Sequence, residues 1–273
     1  MRKFVFLLIL IAAVFAFAEV KIVLKSGEVI KVDVDPSQIA QIIFVPKQSH
    51  LIFSENFDSY SPGQFPPGWG VIYDGAGTEY CKVDNTHAYS SPHSLTMLGV
   101  NGWSQVIGWQ IPYPPDRTKI YDYYDGLSSE EYQRTVNWLK EHPEIWVKAK
   151  VMTAENKVVN KASAVIKFYK VLPRWGTSYG GVSFGKTSNE GYIIAAGNNK
   201  MSYEPYKWYE VLVYLNLKER NFSVWVNGKL LTKDAPINAD GYPEFLALVS
   251  DHANTKVWFD DIEFGYGYPE VGE

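Results

Sequence analysis

Trp208-Tyr209-Glu210-Val211-Leu212-Val213-Tyr214-Leu215 is followed seven residues later by Ser223-Val224-Trp225-Val226 and the pair Asn227-Gly228. Both runs are rich in β-branched and aromatic residues, and Asn-Gly is a strong tight-turn signal, so this stretch reads as antiparallel strands. The same signature recurs outward in both directions. Leu51–Phe57, Ser94–Leu98, Ile145–Met152, Ala162–Val171, Gly181–Phe184, Tyr192–Ala196, Phe245–Leu248 and Lys256–Phe264 are strand candidates, with Asp74-Gly75 and Asn101-Gly102 as further turn signals. Many short strands at regular spacing predict an all-β antiparallel sandwich or barrel. One segment breaks the pattern. Ser128 to His142 starts with a serine N-cap and Glu130-Glu131, carries Tyr132, Val136 and Leu139 at helical spacing, and stops at Pro143, which predicts an inserted surface helix.

The chain has 273 residues, 46% hydrophobic and 15% aromatic, enough to bury a large core, which excludes a disordered chain. A net charge of -4 provides no electrostatic reason to expect nucleic acid or an anionic membrane as partner. Residues 1–18 read as a secretory signal peptide: Arg2-Lys3, an apolar run from Phe4 to Phe17, and Ala16-Phe17-Ala18 as the cleavage site. No other segment approaches a membrane span, so the expected product is secreted, periplasmic or held at the cell surface. Cys81 is the single cysteine, so no intramolecular disulfide forms and stability must come from packing or a metal. Residues 19–50 read as a small β unit and linker. Val20–Leu24 and Val29–Val34 form a hairpin about Ser26-Gly27 that either docks on the rest or makes protein contacts. Residues 51–273 form the main domain.

Four segments resemble the concanavalin-A-like jelly-roll family of exported proteins, which includes laminin-G-like domains and carbohydrate-binding modules. They are Glu55-Asn56-Phe57-Asp58 with Phe65-Pro66-Pro67-Gly68-Trp69; Ser90-Ser91-Pro92-His93-Ser94-Leu95; Lys207-Trp208-Tyr209-Glu210 with Val224-Trp225-Val226-Asn227-Gly228; and Trp258-Phe259-Asp260-Asp261-Ile262-Glu263-Phe264. The resemblance covers residues 51–265 and implies a jelly-roll β-sandwich, a fold that hosts many functions. It also implies a structural calcium ion where the first and last strands pair. Side chains alternate faces along a strand. If Phe57, Ile262 and Phe264 face the core, Glu55 and Asp260 share that face, where either a hard cation such as Ca²⁺ offsets their burial or they sit at the strand ends, solvated or paired with a lysine. Asp58 and Asp261 fall on the opposite face by the same count.

No motif for catalysis is present. Paired carboxylates on one strand, a Gln-x-His strand, H-E-x-x-H, a Gly-x-Ser-x-Gly elbow and a phosphate loop are all missing from the sequence. The aromatic surplus is the stronger hint, because Trp and Tyr rings stack on the apolar faces of sugars. Two stretches expected to be loops hold the candidates: Trp103, Trp109, Tyr113, Tyr121, Tyr123 and Tyr124, beside Asp116 and Arg117; and Arg174, Trp175 and Tyr179. Trp208, Trp225 and Trp258 lie on strands and are expected in the core. The reading is a secreted, non-catalytic carbohydrate-binding or adhesion protein with a polysaccharide or glycan as partner. The alternatives are a polysaccharide hydrolase or lyase on the same fold, or a structural cell-envelope protein.

Overall fold

The computed structural model describes residues 20–23, 29–32, 48–74, 80–100, 104–112, 126–171 and 176–271. The expected signal peptide lies outside them. The chain divides into two units, Met1–Pro46 and Lys47–Glu273. In the first, β1 (Val20–Val23) and β2 (Val29–Val32) form an antiparallel hairpin in which Val20 registers with Val32. No helix among the described residues is long and apolar enough to cross a membrane.

The second unit is an antiparallel jelly-roll-like β-sandwich. Its strands are β3 (Ser49–Glu55), β4 (Gly70–Asp74), β5 (Cys81–Asp84), β6 (Ser94–Gly99), β7 (Gln105–Gln110), β8 (Glu144–Thr153), β9 (Lys161–Lys170), β10 (Thr177–Thr187), β11 (Gly191–Ala196), β12 (Asn199–Ser202), β13 (Tyr209–Asn216), β14 (Asn221–Val226), β15 (Lys229–Pro236), β16 (Phe245–Ser250) and β17 (Thr255–Gly267). One sheet runs β12-β11-β10-β9-β16-β7-β4 and the other β15-β14-β13-β8-β17-β6-β5, with β3 also pairing β17. Alternation puts Phe168, Phe184, Leu246, Phe259 and Phe264 between the sheets, where each is fully or almost fully buried.

The one helix among the described residues, α1 (Ser129–Glu141), begins where the serine and glutamate spacing places it. Ser128 caps it, and Glu131 closes a capping box by accepting the Ser128 backbone N–H at 2.9 Å. The helix sends Leu139 into the inter-sheet core and Tyr132 against a second apolar cluster on the outer face of the seven-stranded sheet. Thr135, fully buried, donates its hydroxyl to the Ile111 carbonyl at 2.7 Å.

The three strand tryptophans do not lie between the sheets. Val224 and Val226 point inward, so Trp225 points outward, where it packs with Trp146, Leu212 and Tyr214. Trp258 sits between the inward-facing Val257 and Phe259, so it too faces out. It is covered by His87 (ring centroids 4.5 Å apart), and its indole N–H donates to Asp84 at 2.8 Å. Trp208 precedes β13 and meets the Tyr89 ring edge-on. The outer face of the eight-stranded sheet is therefore aromatic as well, a consequence of strand parity that the residue types alone do not reveal.

Candidate functional site

β17 changes neighbour along one edge. Thr255–Phe259 pair with β6, and Ile262–Gly267 pair with β3. At the change Asp261 takes φ 45° and an extra residue enters β17 opposite β8. This bulge corrects the parity count. Phe259 and Ile262 both face the core, so Asp260 faces outward and does not share the side of Ile262. Asp260 is nonetheless fully buried, because the connection between β5 and β6 closes over it. Its carboxylate accepts the N–H groups of Tyr89 (2.8 Å), Ser90 (3.1 Å) and Asp261 (2.8 Å). Burial pushes its pKa up to about 7, with the neighbouring Asp261 carboxylate adding to the rise and the three N–H donors opposing it.

The other acids nearby are also engaged. Glu55 registers with Ile262 and accepts the Phe57 N–H (2.8 Å) and the Tyr60 hydroxyl (2.9 Å). Asp58 accepts the His93 N–H at 3.0 Å, and Asp261 accepts the Ser90 hydroxyl at 2.5 Å. Asp58, Asp260 and Asp261 thus hold the β5–β6 connection through N–H and O–H donors, while Glu55 ties down the turn after β3. Among the described residues, no group of three or more His, Cys, Asp or Glu side chains is arranged to hold a metal ion. Glu55 and Asp260 do not form the shared one-face cage that strand parity predicts.

The aromatic candidates separate into two groups. Trp103, Tyr113, Tyr121, Tyr123, Tyr124, Asp116, Arg117, Arg174 and Trp175 lie outside the described residues. Trp109 and Tyr179 are core residues, not loop residues. Trp109 is on β7 and stacks on Phe53 with ring centroids 4.7 Å apart. Tyr179 is on β10, 1% exposed, and its hydroxyl donates to the Asp240 carbonyl. The strand ends that flank the two candidate stretches do lie together, since Phe245 registers with Gln110 at the end of β7 and with Tyr169 near the end of β9.

Two features of the seven-stranded sheet were not singled out from the sequence. The first is Glu244, at that same sheet end and 3% exposed. Its carboxylate accepts the Val171 N–H at 2.9 Å. Burial holds its pKa above the ordinary carboxylate value, with that hydrogen bond and Lys170 opposing the rise. An acid next to the wholly apolar Phe245–Val249 run was the available signal.

The second is a groove across the outer face of β9, β10 and β11. One part, about 340 Å³, is lined on that face by Lys167, Ser178, Gly181 and Ser183, and reaches the core side chains Tyr179, Phe222 and Ile237 and Asn238 beyond β15. A second part, about 250 Å³, shares Ser183 and Ala195 with the first and continues to Thr187. Small side chains make the depression. At Gly181 a Cβ would lie 2.3 Å from the Ile166 carbonyl oxygen, so the groove floor beside Lys167 stays bare. From Ser178 to Thr187 the trough follows about 30 Å of strand, at roughly 3.3 Å per residue.

No family model matches the chain, and no curated protein matches it. Among solved structures it is similar to a Trypanosoma rangeli sialidase in complex with a difluorinated keto-deoxy-nononic acid, at 17% identity over 67% of this chain and 26% of that one, TM-score 0.41. It is similar to the cellulose induced protein Cip1 at 15% identity over 78% of this chain and 96% of that one, TM-score 0.44. A further sialidase is similar at 11% identity over 78% of this chain and 18% of that one, TM-score 0.46. The chain thus spans about a fifth to a third of the length of the sialidases it matches. The sandwich assignment rests on the strand topology above.

Proposed function

We propose that this chain is a non-catalytic carbohydrate-binding protein whose ligand lies along the outer face of the seven-stranded sheet. The carrying observation is the open groove over β9–β11, a long trough whose lining mixes hydroxyl, amide and main-chain groups with apolar side chains. Such a surface suits a polyhydroxylated chain, which needs many neutral hydrogen-bond partners and a shallow, extended contact. Purified protein titrated with a panel of soluble and insoluble polysaccharides tests the reading. Binding with no new reducing ends and no unsaturated products supports it. Failure to bind any member overturns it and favours a structural envelope role.

A polysaccharide-active enzyme is the second reading, and Glu244 is what favours it. Burial raises its pKa, a property a general acid needs, though Glu244 lines neither part of the groove. A hydrolase also needs a second carboxylate across the scissile bond. Product formation lost in Glu244→Gln, with binding retained, would establish that reading instead.

A structural calcium ion is a separate proposal. Its support is the adjacent carboxylates of Asp260 and Asp261 at the strand switch, one of them buried. Melting with Ca²⁺ and with EDTA tests it.

A further inference from the structure

Lys167 stands in the middle of β9, with Gly181 opposite on β10 and Ala247 opposite on β16. Neither neighbour is large enough to cover it. Its ammonium lies 4.1 Å from the centroid of the Tyr169 ring, two residues along on the same face. No carboxylate lies within ion-pairing distance of it among the described residues. Asp251 is the acid whose field reaches it, and Asp251 is itself paired with His252 at 2.8 Å and accepts the Ser104 hydroxyl at 3.0 Å. Burial lowers the Lys167 pKa, with Asp251 opposing the drop.

The rest of the groove sharpens the point. Neither part of its lining contains an aspartate or glutamate. Lys161 and Lys186 border the far end, where the Lys186 ammonium is turned over the Tyr192 ring at 4.8 Å. An acidic protein of net charge -4 thus carries a trough that, among the described residues, is free of carboxylates and holds on its floor a partly desolvated cation with no ion-pair partner. Desolvating a lysine without a counter-charge is unfavourable, and a ligand anion would remove that cost.

The geometry points to an acidic glycan as the ligand, its carboxylate or sulfate seated on Lys167 and its neutral hydroxyls on Ser178, Ser183, Asn238 and the main chain of β10. This rests on the carbohydrate-binding reading and names its ligand class. A linear chain fits better than a small free anion, because the trough extends well beyond reach of the one cation.

The test is calorimetric titration of the full chain and of Lys167→Met with three probes: oligogalacturonate, a sulfated oligosaccharide and a neutral β-glucan oligosaccharide. Lys167→Met removes a desolvated charge and leaves no orphaned partner, so its melting temperature should equal or exceed that of the wild type. The expected result is binding of an acidic probe that weakens with added salt and falls about tenfold or more in Lys167→Met. Lys167→Arg should retain most of it. Binding of the neutral probe alone, unchanged in Lys167→Met, overturns the acidic class and leaves the carbohydrate-binding reading standing. No binding of any probe overturns both. Salt-sensitive, Lys167-dependent binding of oligo-dT without binding of the acidic glycans overturns the proposal in favour of nucleic acid.

Discussion

Asp260→Ala should destabilise the sandwich through the strand switch. The Asp260 carboxylate is fully buried and accepts N–H groups from Tyr89, Ser90 and Asp261 at 2.8, 3.1 and 2.8 Å. Alanine leaves three donors without an acceptor, each costing about 1–3 kcal/mol if it stays dry. Tyr89 is 51% exposed, so water can reach that part of the connection and recover some of the loss. A net cost of about 3–5 kcal/mol follows, a large share of the roughly 5–15 kcal/mol that stabilises a folded domain. At about 2–4 °C per kcal/mol for a domain of this size, the melting temperature should fall by about 6–20 °C. Asp260→Asn keeps one acceptor oxygen and should cost about 1–2 kcal/mol. Urea unfolding followed by tryptophan fluorescence measures both, and hydrogen exchange at Tyr89, Ser90 and Asp261 locates the effect. An Asp260→Ala variant within about 1 kcal/mol of wild type, with those amides still protected, would show that the carboxylate does not clamp the switch.

Other expectations follow from the same structure. Trp109→Ala should cost about 3–5 kcal/mol in urea unfolding, because a stacked core ring is removed; unchanged stability with lost glycan binding would put Trp109 back at a ligand surface. Glu244 binds its proton more tightly folded than unfolded, so its contribution is full below the unfolded value near pH 4.3 and is lost as pH rises through the higher folded value. Glu244→Gln should flatten that decline, whose slope is at most about 1.4 kcal/mol per pH unit, in urea midpoints taken from pH 4 to 8. If calcium binds at the strand switch, a concentration 100-fold above Kd should add about 2.7 kcal/mol and EDTA should reverse it; an identical melt in a demonstrably metal-loaded sample would dismiss the ion.

The sandwich was legible because its interior strands are β-branched, aromatic and bounded by turn residues, as at Trp208–Gly228 and Lys256–Phe264. Four of the unanticipated strands have a common cause. β4, β5, β12 and β15 are the terminal strands of the two sheets, short or charged, because an edge that carries lysine and aspartate resists pairing with other chains. β7 was hidden between Asn101-Gly102 and Pro112, and with it the core position of Trp109. One bulge separates Glu55 from Asp260. Period-2 counting assumes an unbroken strand, and the extra residue at Asp261 reverses the side on which Asp260 lies. Lys167 left a trace, a lone charge between Val165 and Tyr169 in an otherwise apolar run, but its lack of a partner is a property of three strands brought side by side.

Ser183→Trp tests the central claim most directly. Ser183 lines both parts of the groove, opposite Val165 and Ala195, so an indole there fills the trough from its middle. The account predicts a folded variant, with wild-type circular dichroism, that has lost binding to every polysaccharide the wild type retains. A folded Ser183→Trp variant that binds those polysaccharides with wild-type affinity would contradict it and place the ligand elsewhere on the molecule.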